Sequence, residues 1–255
     1  MIRRTHDSFV RANFRGRLGR LTDPVVDRFE QVESDDRDTT LATIAFLFGN
    51  SDPLKLNKLG LQTSMLALYA AGASVTLTRD ELWELSSELR QFVELYRLPE
   101  MMSNPNGRIL QFVFNQAMQR GARDSIQCGS KGELPLGFKL IRLQAAASCS
   151  SLPDSDDRRT LFTIAFGSLH PDPMQVSAQS LAVAMLAIWS AGAKVSLSFE
   201  QYQELKHLAG LLAHSPARAG AAHACKMKQA ALVLEKAALR AESEGLEAEL
   251  ALAAV

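Results

Sequence analysis

The chain has 255 residues, of which 47% are hydrophobic, 22% charged and 7% aromatic, and its 28 basic residues balance its 28 acidic ones. The high apolar fraction and the zero net charge exclude an intrinsically disordered chain. Glycine (15) and proline (9) are too few for a fibrous or low-complexity protein. We therefore expect a globular protein with one or two hydrophobic cores.

Residues 1–22 form a basic arm that contains six arginines and a single acidic residue. If the arm is helical, its apolar residues form one stripe, namely Val10, Phe14, Leu18 and Leu21. Such a segment is typical of arms that bind a partner's groove, an anionic membrane surface or nucleic acid. The alternative is that it folds back on its own domain and leaves the arginines in solvent. The candidate partner-binding residues are Arg3, Arg4, Arg11, Phe14, Arg15, Arg17 and Arg20.

An internal repeat organises the rest of the chain. Shifting the sequence by 120 residues aligns residues 40–85 with residues 160–205 without a gap, and 19 of the 46 pairs are identical, against roughly 3 expected by chance. Most identities are apolar or small residues, as a shared core with divergent surfaces predicts. The period is longer than the roughly 20–50 residues of solenoids and propellers. We therefore predict two homologous helical lobes related by a pseudo-two-fold axis.

Each copy is predicted to begin with two helices. The first spans about 38–49, or 158–168 in the second copy. The next spans about 53–71, or 173–191, and is apolar nearly all round, which indicates burial on more than one side. An Asp-Pro pair is expected to start each of these longer helices, and a glycine is expected to end it.

Alternating β-branched residues follow in both copies. The segments 74–78 and 194–198 are long enough only for very short strands, which we expect to pair antiparallel across the pseudo-two-fold axis. Thr78 and Ser198 then cap a further helix with acidic residues in its first turn. The predicted fold class is mainly α, with internally duplicated helical lobes and one minimal pair of strands.

Composition divides the chain into five predicted segments. These are a basic amphipathic arm at 1–22, a first helical copy at 23–122, a linker at 123–134, a second helical copy at 135–240 and an acidic, alanine-rich helical tail at 241–255. A helix over about 106–121 closes the first copy. The longest apolar run, Leu181 to Ala193, is shorter than the roughly 20 helical residues that cross a bilayer, so no transmembrane segment is expected.

Sequence motifs for catalysis and cofactor binding are missing. The chain has neither a P-loop nor a dinucleotide fingerprint, and the glycine and serine at 167–168 lack the second glycine of a nucleophile elbow. His207 and His214 are seven residues apart, which places them two helical turns from each other rather than on one metal ion. We therefore expect no metal at the cluster His207, His214, His223 and Cys225, and no cofactor.

The cysteines indicate a reducing compartment. Cys128, Cys149 and Cys225 are odd in number and irregular in spacing, so we expect reduced thiols and a cytoplasmic location. A catalytic pair of Cys149 or Cys128 with His170 would need a long-range contact that no local pattern indicates. The paired acids at 35–36 and 156–157 precede helices and are interpreted as caps.

Three functions are compatible with these patterns. The first is a non-enzymatic, bacterial-type regulatory protein that acts through protein–protein contacts of its two lobes or through self-association. The second is a nucleic-acid-binding regulator that uses the arm at 1–22, since the net negative helix predicted at 79–97 suits a phosphate-lined groove poorly. The third is an enzyme with a non-local site between the lobes, which a deep pocket with convergent polar groups would favour.

Overall fold

The computed structural model describes residues 36–49, 56–96, 105–128, 157–215 and 220–246. These ranges contain nine α-helices, which confirms the mainly helical fold. In chain order they are α1 Arg37–Gly49, α2 Lys58–Ala71, α3 Arg79–Leu85, α4 Ser87–Tyr96, α5 Pro105–Cys128, α6 Asp157–Ser168, α7 Ala178–Ser190, α8 Phe199–Ala213 and α9 Gly220–Ser243. None of these described helices combines the length and apolarity that a membrane span requires.

Two buried helices, α2 and α7, form the centre of the molecule. Nearly all of α2 is buried, and α7 is buried from Leu181 to Trp189. In the first half of the described chain, α2 packs against α1 and α5; in the second half, α7 packs against α6, α8 and α9. Because α1 also contacts α7 and α2 contacts α6, both halves share one hydrophobic cluster. This double-sided packing explains why both helices are apolar nearly all round.

The two central helices start later than the sequence predicted. The residue before α2 is Asn57, whose side chain accepts a hydrogen bond from the Gly60 amide at 2.8 Å. The residue before α7 is Ser177, which caps that helix in the same way. The Asp172–Pro173 pair instead starts a short 3-10 helix, Pro173–Gln175. In this copy the proline thus marks a turn before the helix, whereas the pair at 52–53 lies outside the described residues.

Glycines end both central helices as predicted. Gly72 follows α2 with a φ of 115°, and Gly192 lies two residues after α7 with a φ of 103°. Both values lie in the left-handed region, where a residue with a Cβ atom is strained. The chain therefore turns away from each helix at a position that requires glycine.

The predicted strands at 74–78 and 194–198 are wrong. Both segments are irregular, and no strand occurs in the part of the chain that the structure describes. The amide of Val75 donates to the carbonyl of Ala73 at 2.7 Å, which makes a tight local turn instead of a ladder. The β-branched residues of these segments therefore lie in extended connections, and the backbone of these connections forms its hydrogen bonds outside a strand ladder.

Side-chain hydroxyl groups from the opposite half take the place of the expected strand pairing. The Ser74 amide donates to Thr163 Oγ1 at 2.7 Å. Reciprocally, the Lys194 amide donates to Thr43 Oγ1 at 2.9 Å. The two halves are thus joined across their contact by a pair of matching hydrogen bonds.

Two other helix boundaries differ from the predictions. The helix expected over 79–97 is broken at Ser86, whose hydroxyl donates to the Trp83 carbonyl and so competes with helix continuation. Helix α5 runs to Cys128, which is beyond the predicted end at 121 and inside the segment predicted as a linker. Its additional turn carries Asp124, which pairs with a residue one turn earlier and is described next.

Candidate functional site: an arginine-lined cavity

An arginine holds the C-terminal end of α2. The guanidinium of Arg120, on α5, donates to the carbonyl oxygens of Tyr69, Ala73 and Val75. It also lies 4.2 Å from the centroid of the Tyr69 ring. Carbonyl groups at a helix end have no partner within the helix, and they attract a cation. We call this arrangement the first arginine cap.

The end of α7 has the same arrangement. The guanidinium of Arg240, on α9, donates to the carbonyl oxygens of Trp189 and Ala193. It also lies 4.5 Å from the centroid of the Trp189 ring. Arg240 also pairs with Glu244 at 2.7 Å. We call this the second arginine cap. Its arginine is 120 residues after Arg120, which is the offset of the sequence repeat.

A buried network supports the first arginine cap. The Tyr69 hydroxyl donates to Asp124 Oδ2 at 2.6 Å, and Arg120 Nε lies 3.3 Å from the same oxygen. Burial, followed by the neighbouring Asp124 carboxylate, raises the pKa of Tyr69 well above its usual range, so Tyr69 stays a hydrogen-bond donor. Burial lowers the pKa of Arg120, and the positive charge of Arg159 lowers it further. Positive charges of the two halves therefore lie close together at this point.

A cavity of about 510 Å³ opens beside the first arginine cap. The first turns of α1 and α6, the end of α2 and one face of α5 surround it. Its lining contains five arginines and two aspartates, which gives it a net charge of +3. We call it the arginine cavity; it is lined by Arg37, Asp38, Ala70, Ala71, Gly72, Arg120, Arg123, Asp124, Arg158, Arg159 and Phe162.

Arg158 forms one wall of the cavity and connects the two halves. Its Nε donates to the Ala191 carbonyl at 3.0 Å, its Nη1 to Asp36 Oδ2 at 2.6 Å and its Nη2 to Thr39 Oγ1 at 2.6 Å. The hydrogen bond from Arg158 lowers the pKa of the Asp36 carboxyl. Because its donors are used in this way, Arg158 fixes the position of α6 relative to the start of α1.

The other three arginines of the cavity are exposed. Arg37 makes an exposed ion pair with Asp38 at 3.3 Å, a type of contact that contributes little to stability. Arg123 lies on α5 close to the first arginine cap, and Arg159 lies in the first turn of α6. Their charges face solvent rather than the hydrophobic core.

Three of the five arginines occupy positions that are locally unfavourable. Arg37 lies in the first turn of α1, and Arg158 and Arg159 lie in the first turn of α6. The helix dipole is positive at this end and disfavours a cation there, whereas it favours a bound anion. Departures from local preference of this kind concentrate at functional sites. An anion in the cavity would be attracted by the start of α6 and by the guanidinium groups, while the start of α1 is already capped by Asp36.

The residues that the sequence singled out for chemistry form no site in the described part of the chain. No group of three histidine, cysteine or acidic residues there is placed to hold a metal ion. His223 Nε2 lies 2.6 Å from Ser215 Oγ, and the same hydroxyl oxygen lies 3.0 Å from the Leu212 carbonyl oxygen.

Other sequence predictions fall where the structure makes no statement. The arm at 1–22, with its candidate partner-binding arginines and Phe14, lies outside the described residues. Cys149, one member of the suggested cysteine–histidine pair, also lies outside them. Cys225 forms no disulfide within the described residues, and its Sγ accepts a hydrogen bond from Gln229 Nε2 at 3.7 Å. The arginine cavity was not predicted, because its charged residues are distributed over three helices.

One signal in the sequence does point towards the cavity. Beyond the repeat window of 40–85, the 120-residue offset also matches Arg120 with Arg240 and Asp124 with Glu244. Extending the repeat comparison into α5 would therefore have identified both arginine caps. Compared with protein-family models, curated proteins and solved structures, the chain has no match.

Proposed function

We propose that the chain is a non-enzymatic regulatory protein that binds an anionic ligand in the arginine cavity and acts on a protein partner through its two homologous lobes. The observation that carries this proposal is the net charge of +3 around a cavity of about 510 Å³. The N-terminus of α6 adds to the positive potential there, whereas that of α1 is already capped by the Asp36 carboxylate, which accepts from the Asp38 amide. Small-molecule sites have comparable volumes and a few convergent polar groups.

The chemistry of the lining favours binding over catalysis. A guanidinium group stays protonated, so it recognises phosphate and carboxylate groups as a fixed fork of donors and does not transfer protons. The two carboxylates of the cavity already have partners: Asp38 pairs with Arg37, and Asp124 accepts from Tyr69 and Arg120. An enzyme site between the lobes is therefore the weaker interpretation of the same cavity.

Reciprocal contacts support the proposal of two homologous lobes. Thr43 bonds to the segment after α7, and Thr163 bonds to the segment after α2. A two-fold relation produces such pairs, because each contact occurs once in either direction. The two arginine caps, 120 residues apart, follow the same relation. We infer that a protein partner would contact two lobes that share a core but differ in their surfaces.

Two narrower expectations belong to the same proposal. A cytoplasmic location stays a prediction from the odd number and irregular spacing of the three cysteines. Nucleic-acid binding through residues 1–22 stays a prediction, since it concerns residues outside the described ranges. Salt-dependent binding of the full chain to DNA or RNA, lost when residues 1–22 are deleted, would be the evidence for it.

Thermal unfolding of the full chain with multivalent anions tests the proposed function. At matched ionic strength, pyrophosphate and citrate are expected to raise Tm in proportion to the logarithm of their concentration, whereas chloride and glucose are not. The double variant Arg123→Ala/Arg159→Ala should lose most of this shift.

Arg79→Ala is the matched control, because Arg79 is exposed on α3 and lies outside the cavity. It should keep the full shift in Tm. Equal shifts in the wild-type chain and the double variant would show that anions do not bind in the arginine cavity, and would overturn the proposed function.

A further inference from the structure

We propose that the basic arm at residues 1–22 binds, within its own chain, to an exposed acidic face of α3 and α4 that has a tryptophan at its centre. We call this surface the tryptophan face; it consists of Asp80, Trp83, Glu84, Arg90 and Glu94. The inference goes beyond the proposed function, because neither the arm nor this face belongs to the arginine cavity.

Trp83 is the apolar centre of the tryptophan face. Its relative exposure is 55%, although an indole ring gains free energy when it is removed from water. The Arg90 guanidinium lies 3.5 Å from the centroid of the Trp83 ring and covers one side of it. The exposed surface of the ring is therefore its opposite side and its edge, where a further apolar or guanidinium group can pack.

Three exposed carboxylates surround this ring. Asp80 and Glu84 lie on the same side of α3 as Trp83, because residues three and four apart are neighbours on a helix. Glu94 lies one turn after Arg90 on α4. Within the described ranges, none of the three acids forms an ion pair. These carboxylates are therefore accessible to cations from outside the described residues.

The charges of the two segments are complementary. Residues 79–96 contain five acids and two arginines, a net charge of −3, and Lys58, which pairs with Glu88 at 3.2 Å, reduces this to −2. Residues 1–22 contain six arginines and one aspartate, a net charge of +5. Exposed opposite charges attract each other over about 10 Å at 0.1 M salt. Phe14, on the apolar stripe of the arm, supplies the aromatic group that suits the Trp83 ring.

The described part of the chain begins close to this face. Arg37, at the start of α1, donates to Gln116 on α5 at 3.5 Å. Leu82, next to the tryptophan, packs on Gly121 of the same helix and leaves no room for a Cβ atom there. Five residues of a helix span about 7.5 Å. The connecting residues 23–36 can extend over roughly 45 Å, so the arm reaches the face without any movement of the described helices.

The corresponding surface of the second half has the acids but not the tryptophan. Glu200 and Glu204 are exposed on α8, 120 residues after the two acids of α3, and Gln203 stands in the place of the tryptophan. With Lys206, α8 has a net charge of only −1. We therefore expect the arm to bind to the first half, and the α8 surface provides a matched control.

Acrylamide quenching of tryptophan fluorescence in the full chain tests the contact. The chain has two tryptophans, and Trp189 is fully buried, so a change in quenching reports on Trp83. The variant Arg11→Glu/Arg15→Glu is expected to raise the Stern–Volmer constant about twofold, because repulsion releases the arm from the ring. High salt should have the same effect on the wild-type chain. Acrylamide is neutral, so the changed charges do not themselves alter its access.

Charge exchange locates the contact. Asp80→Lys/Glu84→Lys should raise the Stern–Volmer constant as the arm variant does, and the two double variants combined should return it to the wild-type value. Glu200→Lys/Glu204→Lys, the matched control, should leave quenching unchanged. Circular dichroism and Tm of each variant, which should stay close to those of the wild-type chain, verify folding.

Three results would overturn the proposal. Wild-type quenching that responds neither to the arm variant nor to salt would show that residues 1–22 do not cover Trp83. An equal response to Glu200→Lys/Glu204→Lys would show a general effect of charge instead of a specific face. Protection of Trp83 that increases with protein concentration would show that the arm of a second copy occupies the face, so that the contact is not made within one chain.

Discussion

The two arginine caps share two matching backbone contacts but have different electrostatic surroundings. Arg120 and Arg240 each bind carbonyl groups at the end of a buried helix and lie over an aromatic ring. Beside Arg120, however, Arg123 adds positive charge to a cavity, whereas the position 120 residues later is Ser243. Capping the helix is thus a structural role common to both halves. The excess positive charge beside the first arginine cap is therefore not explained by helix capping.

A charge reversal distinguishes the ends of the two central helices. Positions 38 and 158 are 120 residues apart and hold an aspartate and an arginine. Arg158 donates to the Ala191 carbonyl and so covers the end of α7. The Asp38 carboxylate has no hydrogen-bond donor for the carbonyl groups at the corresponding end of α2. Ala71 and Gly72, at that end, line the arginine cavity.

Removing either cap is expected to have the largest effect on stability. Arg120→Ala and Arg240→Ala should each lower the free energy of unfolding by about 2–4 kcal/mol, because partly buried carbonyl groups lose a charged donor. The measurement is urea unfolding of the full chain. The two values should agree within about 1 kcal/mol if the caps play the same role.

The lysine variants sharpen this test. Arg120→Lys and Arg240→Lys keep the charge but not the planar fork that reaches several carbonyl groups, so they should recover less than half of the loss. A large loss for Arg120→Ala alone would show that the two caps are not equivalent.

The reciprocal hydroxyl contacts should give a smaller, again matched, effect. Thr43→Val and Thr163→Val preserve shape but leave the Lys194 or Ser74 amide without its partner, which should cost about 1–2 kcal/mol each. Thr76→Val is the control, since Thr76 is exposed. If the core variants cost no more than this control in urea unfolding, the contacts do not hold the halves together.

The smallest effect on stability is expected for the ion pair between Arg158 and Asp36. Because Arg158 lowers the pKa of Asp36, their contact stabilises the fold above the unfolded carboxyl pKa of about 3.9 and is lost as pH falls through the lower folded value. Asp36→Asn should therefore flatten the loss of stability between about pH 5 and pH 3. The difference should stay below about 1 kcal/mol, because the pair is exposed. Identical pH profiles of the free energy of unfolding for the wild-type chain and Asp36→Asn would contradict this stabilising role of the ion pair.

The helices could be predicted from sequence because their signals are local. Apolar residues nearly all round α2 and α7 indicate burial on several sides, and the glycine after each marks its end. The strands at 74–78 and 194–198 could not be judged in this way. Their alternating residues fit a strand, but the competing partners of their backbone, such as Thr163 and Arg120, lie far away in sequence.

The arginine cavity lay beyond a sequence search for the same reason. Its arginines at 37, 120, 123, 158 and 159 belong to three helices, and each alone resembles an ordinary surface charge. Only the packing of α1, α5 and α6 brings them together. The 120-residue offset between Arg120 and Arg240 can be found in the sequence, but it identifies the arginines that cap helices and not the exposed arginines of the cavity.

The matching hydroxyl bonds between the halves also mean that neither half completes its backbone hydrogen bonds by itself. When the first half emerges, the Ser74 amide has no partner until Thr163 has been synthesised, and the α6-facing side of α2 stays open. A nascent chain that stops before residue 163 therefore exposes apolar surface, which favours aggregation or chaperone binding.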